Sequence, residues 1–178
     1  MMIISFRDKR GTRKESVHRK GVRTMKAAIF ALDTGAYKAK AESTAASVLK
    51  RTLEQVGFEV KAAGVLPQEK EVVLSVIRQL ADSGSVDLIL TTGASGYREK
   101  DCAPDALTEA ADRLLPGIPE ALRAYNIRYS KKVILDRSAA GIRRKTLIIN
   151  LPESAKMAKE DIEYILPEVV QVVETMTL

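Results

Sequence analysis

The chain has a single histidine, His18, and a single cysteine, Cys102. One cysteine excludes an intrachain disulfide and a cysteine zinc cluster. The histidine falls in the basic N-terminal stretch, so Ser-His-Asp, Cys-His and histidine-ligated metal chemistry are closed to the rest of the chain. Catalysis there has only carboxylates, basic side chains, backbone donors and a hard cation to draw on. No apolar run approaches the roughly 20 residues that span a bilayer. The basic N-terminus lacks the apolar segment of about 7–15 residues that marks a secretory signal. The expectation is a cytoplasmic protein with no membrane partner.

Net charge outside one segment is also lacking. The total of +6 at first suggests nucleic acid, but residues 1–26 hold nine Lys or Arg against Asp8 and Glu15. Residues 27–178 then carry 20 basic and 21 acidic side chains, a nearly neutral body that argues against a nucleic-acid partner. Residues 1–25 read as a flexible basic tail, with Phe6 its only aromatic and Met25 an alternative start. Residues 26–178 are long enough for one domain with one core.

Within the body, short apolar runs alternate with helical periodicity. Lys26–Leu32, Glu59–Val65 and Val86–Thr92 read as buried strands. Thr44–Val56 and Glu69–Ala81 repeat apolar residues at amphipathic helical spacing, closed near Gly57 and Gly84. Helices are expected over Pro104–Leu114 and Pro119–Asn126, and a final one over Ala155–Met176. Val133–Leu135 reads as a short strand and Lys145–Asn150 as a clearer one. Gly141–Lys145 is expected to be a basic turn. Strand–helix alternation predicts an α/β fold of three layers, αβα, on a mostly parallel central sheet.

The third strand runs into Thr91-Thr92-Gly93-Ala94-Ser95-Gly96. In open α/β sheets ligands bind beyond the carboxyl ends of strands. Gly93 and Gly96 let a guest approach the backbone, and Thr91, Thr92 and Ser95 offer hydroxyls. The helix opened by Pro104 is expected to add its unpaired N–H groups and positive dipole end. The site so described takes phosphate or another anion, although an ordinary strand-to-helix turn has the same glycines. No Gly-Lys-Ser/Thr follows, so this is not a Walker loop. Asp101, just before the helix, suits either a Mg²⁺ ion bridging phosphates or a helix-capping role. Asn150-Leu151-Pro152-Glu153-Ser154 also ends a strand and opens a helix, so two loops can converge on one ligand. Asp33, ending the first strand, fits a turn former or a site residue. Arg143–Lys145 fits a solvated cluster or an anion contact.

Taken in order, these segments resemble the MogA/MoaB-type molybdopterin-binding family, also found as the N-terminal domain of gephyrin. The family's first strand ends in Ser-Asp, here Leu32-Asp33. Its TTGGTG loop is TTGASG at 91–96, and its Arg-Asp-x-Thr-Pro-Glu-Ala helix start is Lys100–Ala106. A Pro-Gly segment follows at Pro116-Gly117, and AGIRGKTLIINLPGS is matched by AGIRRKTLIINLPES at 140–154. The resemblance covers about residues 26–176. It implies a homotrimer that binds molybdopterin and, in the MogA branch, adenylylates it with Mg-ATP to give adenylyl-molybdopterin and pyrophosphate. It also implies Asp101 as the catalytic, Mg²⁺-binding carboxylate. The implied ligand contacts are Asp33, Thr92, Gly93, Ala94, Ser95, Gly96, Asn150, Pro152 and Ser154. Gln68 stands where the family has a second acid, Ala103 where it has the helix-capping Thr, and Glu153 where it has Gly. These departures keep open a rival reading, a weakened carrier that binds molybdopterin without transferring AMP.

Overall fold

A computed structural model describes residues 3–7, 13–17 and 23–177. Ile3–Arg7 (β1) and Arg13–Val17 (β2) pair antiparallel, Ile3 opposite Val17 and Arg7 opposite Arg13. Of the flexible tail expected over 1–25, residues 1–2, 8–12 and 18–22, His18 among them, lie outside the described residues.

The body alternates Lys26–Leu32 (β3), Thr34–Lys38 (α1), Thr44–Gln55 (α2), Glu59–Leu66 (β4), Lys70–Ser83 (α3) and Leu88–Thr92 (β5). Ala103–Ala110 (α4), Arg113–Leu114 (β6), Gly117–Asn126 (α5), Ala140–Arg143 (β7), Thr146–Leu151 (β8) and Ala155–Thr177 (α6) complete it. Six strands form one sheet in the order β4-β3-β5-β8-β7-β6. The β4, β3, β5 and β8 ladders are parallel, while β7 pairs antiparallel with β8 and β6.

Both faces of this sheet are covered, which is why its central strands are apolar without alternation. Ile29, Leu90 and Ile149 sit side by side in register and pack against α2, α5 and α6 through Leu49, Leu53, Leu122 and Ile162. Their neighbours Ala28, Ile89 and Ile148 face α3 and α4 through Leu74, Ile77, Ala106 and Leu107. The expected three-layer αβα arrangement is the observed one.

Three local expectations are corrected. Lys131–Leu135 is a 3-10 turn rather than a strand, opened by Ser130, whose hydroxyl accepts from the Lys132 amide at 3.3 Å. Among the described residues no strand pairs with it, and Ile134 stays 67% exposed. The helix expected through Leu114 stops at Ala110, because Arg113 and Leu114 pair with Ile142 and Gly141. Gly141–Lys145 is not a turn throughout, since Ala140–Arg143 is a buried strand whose pattern of small residues hid it. A Cβ on Gly141 would lie 2.8 Å from both the Ala111 Cβ and the Arg113 carbonyl oxygen, so β7 fits there only with glycine.

The basic cluster next to β7 belongs to the amino edge of the sheet. Arg143 and Arg144 both clamp Asp82, at 2.8 Å each. Arg144 turns the chain at φ +52°, a left-handed conformation at the position where the resembled motif has glycine.

Candidate functional site

Strands β3, β5 and β8 end together. Ala31 lies opposite Thr92, and Thr92 opposite Leu151, so the segments after them leave the same edge of the sheet. The turns are tied to each other. The Gly93 amide donates to the Leu151 carbonyl at 3.0 Å, and the Thr92 hydroxyl to the Pro152 carbonyl at 2.6 Å. One layer below, the Asn150 amide donates to the Thr91 hydroxyl at 2.8 Å, and its Oδ1 accepts from the Ala139 amide at 3.1 Å. Asn150 is 1% exposed. Thr92 and Asn150 are thus brought to the site, where their side chains fasten the two turns to each other. Each such bond contributes about 0.5–1.5 kcal/mol net.

The first turn holds its backbone in a left-handed curl, Gly93 at φ +87° and Ala94 at φ +52°. The space at Gly93 is narrow, since a Cβ there would come within 3.2 Å of the Leu32 carbonyl oxygen. Ala94 accepts the same hand at a cost of roughly 1–2 kcal/mol. Among the described residues the amides of Ala94, Ser95 and Gly96 donate to no protein acceptor. Successive N–H groups in such a curl form an anion-binding concavity. The Ser95 hydroxyl is engaged elsewhere, donating to Asp136 Oδ1 at 2.9 Å. Asp136 also accepts from the Ser138 hydroxyl and lies 3.6 Å from Arg123 Nη1. Sequence reasoning missed Asp136, which has no motif around it.

The second turn supplies what the helix after the first turn was expected to supply. The Ala103 amide at the start of α4 is spent on the Ala94 carbonyl at 3.0 Å. The 23-residue α6, in contrast, begins beside Pro152 with the amides of Glu153, Ser154 and Ala155 unpaired by protein acceptors. Ser154 is exposed, and its hydroxyl accepts from the Met157 amide at 3.4 Å. Helix N-termini of this kind favour anions.

Asp101 closes the first turn. It is 1% exposed, and Arg98 reaches it three times: the backbone amide and Nε to Oδ2 at 2.9 and 3.2 Å, and Nη2 to Oδ1 at 3.3 Å. Burial is the largest single influence and opposes ionisation, but the Arg98 side chain, its amide and the nearby positive charge together outweigh it, holding this carboxyl below the usual range. Gly96 fits because a Cβ there would stand 2.7 Å from Asp101 Oδ2. Burial pushes the neighbouring Cys102 thiol up, which makes it a poor nucleophile.

Asp33 caps α1, its Oδ1 accepting from the Ala36 amide at 3.0 Å. Asp33, Thr92, Glu153, Glu42 and Ser43 line a hollow of about 280 Å³ at the strand ends. A groove of about 560 Å³ adjoins it through Ala36, Glu42 and Ser43 and carries Lys40 and Lys50. Gln68 is nearby, its backbone N–H donating to the Thr34 hydroxyl at 2.9 Å. Among the described residues no three His, Cys, Asp or Glu side chains cluster as a metal site. Among those residues no helix is long and apolar enough to cross a membrane.

The model of a probable molybdopterin binding domain matches residues 28–171. The molybdopterin adenylyltransferase of Escherichia coli K12 is 36% identical over 106 residues, 60% of this chain and 54% of that protein. That of Helicobacter pylori 26695 is 33% identical over 105 residues, 59% of this chain and 60% of that protein. The chain thus spans little more than half the length of these curated relatives. The crystal structure of the molybdopterin biosynthesis enzyme MoaB from Thermus thermophilus is similar with a TM-score of 0.78 and 33% identity, covering 86% of this chain and 96% of that one. The Mog protein of Mycobacterium ulcerans, at 24% identity and a TM-score of 0.77 over 86% and 99% of the two chains, shares the fold.

Proposed function

The chain belongs to the probable molybdopterin-binding domain family, and on that premise we propose that it is a molybdopterin adenylyltransferase. It acts as a cytoplasmic homotrimer in molybdenum cofactor biosynthesis, taking molybdopterin and Mg-ATP. The observation that carries this reading is the meeting of two turns at one edge, each with successive unpaired amides, held together by Thr92 on Pro152. Two phosphate-bearing guests brought to one edge can react there.

The reaction asks little covalent help of the protein. The terminal phosphate oxygen of molybdopterin attacks the α-phosphorus of ATP, the bond to the β-phosphate oxygen breaks, and pyrophosphate leaves with the electron pair. Positioning and charge neutralisation supply the rate. The amides of Ala94, Ser95 and Gly96 and those at the start of α6 hold phosphate oxygens. Gly93 lets the guest approach, and Pro152 and Ser154 shape the second turn. The groove bearing Lys40 and Lys50 receives the nucleotide, beside Asp33. Mg²⁺ bound with the nucleotide would neutralise its phosphates. Asp101 is the carboxylate that would hold it, once Arg98 turns from Asp101 to a phosphate.

Incubation with molybdopterin, ATP and Mg²⁺ should yield equal amounts of pyrophosphate and adenylyl-molybdopterin, and Asp101→Asn should cut that rate at least tenfold. The carrier reading is favoured by one observation. Glu153 packs its side chain against Gly93, its Cβ and Cγ 3.8 Å from where a Cβ would stand, and so brings a negative charge to the lining of the hollow at the strand ends. Tight molybdopterin binding without pyrophosphate release would establish the carrier instead.

A further inference from the structure

The bare amides of the first turn are aimed by a segment that itself makes none of the proposed phosphate contacts. Asp136, Arg137 and Ser138 follow the 3-10 turn and meet Ser95. The Arg137 amide donates to the Ser95 carbonyl at 2.7 Å, and the Ser95 hydroxyl donates to Asp136 Oδ1 at 2.9 Å. Ser95 is thus gripped by backbone and side chain at once. Its predecessor is held too, since the Ala94 carbonyl accepts from the Ala103 amide at 3.0 Å.

A trans peptide unit points its N–H away from its C=O. Anchoring the Ala94 carbonyl therefore turns the Ser95 N–H the opposite way, and anchoring the Ser95 carbonyl does the same to the Gly96 N–H. These are two of the amides that donate to no protein acceptor among the described residues. What the carbonyl ends hold decides where the bare donors point.

The gripping segment is itself braced. Asp136 Oδ2 accepts from the Ser138 hydroxyl and, at 3.2 Å, from the Ser138 amide. Arg123 of α5 lies 3.6 Å from the same oxygen and donates to the Ser138 carbonyl at 3.3 Å. Arg137 reaches Asp105 of α4 at 2.7 Å. The Ala139 amide donates to Asn150 Oδ1 at 3.1 Å, and the Ala139 carbonyl accepts from the Asn150 amide at 3.0 Å. Residues 136–139 therefore join the first turn to the strand that feeds the second. A carboxylate close to an anion site repels the anion. Asp136 is placed there by the hydroxyl it holds, with Arg123 offsetting its charge.

We propose that Asp136 is a positioning residue of the anion site, fixing Ser95 through its hydroxyl so that the Ser95 and Gly96 amides meet a phosphate already oriented. The phosphate rests on the function proposed above; the direction of the amides does not. The Ser95 hydroxyl is then a fastening rather than a ligand contact. Donors oriented in advance need no reorganisation when the charge arrives.

The test is calorimetric titration of the full chain and its variants with inorganic pyrophosphate, with folding checked by circular dichroism. Asp136→Ala should weaken binding at least tenfold, although it removes a negative charge. Ser95→Ala, which leaves the brace of residues 136–139 in place, should weaken it comparably, and carries the test where Asp136→Ala does not fold. The double variant should lie within threefold of either single one. Asp136→Asn keeps an oxygen for the Ser95 hydroxyl but loses the charge facing Arg123. It should recover most of the affinity lost in Asp136→Ala without exceeding that of the unsubstituted chain, while its Tm falls about as far. Affinity falling in step with Tm in both Asp136 variants would reduce the carboxylate to a structural role and overturn the proposal. Tighter binding by either Asp136 variant, additive losses in the double variant, or unchanged affinity in Ser95→Ala would overturn it as well. In each of these cases the unsubstituted chain still binds pyrophosphate, so the phosphate reading of the turns survives. Failure of the unsubstituted chain to bind pyrophosphate would remove that reading and this role together.

Discussion

Replacing Gly96 by alanine tests how the first turn and Asp101 depend on each other. A methyl carbon at this position would stand 2.7 Å from Asp101 Oδ2 and 3.5 Å from its Cγ, whereas real contacts of this kind do not close below 3.0 Å. The carboxylate cannot simply swing away, because it is 1% exposed and takes three hydrogen bonds from Arg98 at 2.9, 3.2 and 3.3 Å. Relief must come from moving the turn or from breaking some of those bonds. Overpacking of this size costs about 1–3 kcal/mol, which lowers Tm by about 3–10 °C in a domain of this length. The displaced turn should also lose at least tenfold in pyrophosphate affinity. Thermal unfolding of Gly96→Ala, Asp101→Ala and the double variant separates the contact from a general weakening. Without the carboxylate the methyl group has nothing to strike, so in the Asp101→Ala background the cost should fall below about 0.5 kcal/mol. Additive costs in the two backgrounds would refute the reasoning.

Three other outcomes are expected. Glu153→Gly removes the carboxylate beside Gly93 and should raise pyrophosphate affinity several-fold, with the gain shrinking as salt is added; titrations at two ionic strengths check it. Asp161 is pushed up to about 6, chiefly by burial, with Asp136 and Glu160 adding to the rise and the Asn126 bond opposing it. Its folded pKa exceeds the ordinary 3.8, so the folded chain holds this proton more tightly. The penalty is absent below about pH 3.8 and complete above about pH 6. Asp161→Asn should therefore raise Tm at pH 7.5, by up to about 3 kcal/mol of stability, and by much less at pH 4.5; a flat difference across that range would contradict the assignment. Gly141→Ala forces a methyl group onto the Arg113 carbonyl and the Ala111 side chain, both 2.8 Å away. It should cost at least about 2 kcal/mol, read as an earlier denaturation midpoint.

Local chemistry made much of this protein legible in one dimension. β3 begins and ends where its apolar run does, α2 ends beside Gly57 and α3 beside Gly84, because apolar spacing and positive-φ glycines act over a few residues. The two glycine- and proline-marked turns at strand ends were likewise readable, since small residues there leave amides bare. Tertiary structure decided what those amides and side chains do. It spent the first amide of α4 on Ala94 and left those of α6 free, a choice set by which helix lies against which turn. It made β7 a strand by pairing it with β8, against a local pattern that reads as a turn. It brought Asp136 to Ser95 across 41 residues and Asn126 to Asp161 across 35. Such pairs leave no trace in spacing, because their partners become neighbours only when the sheet and its helices are packed.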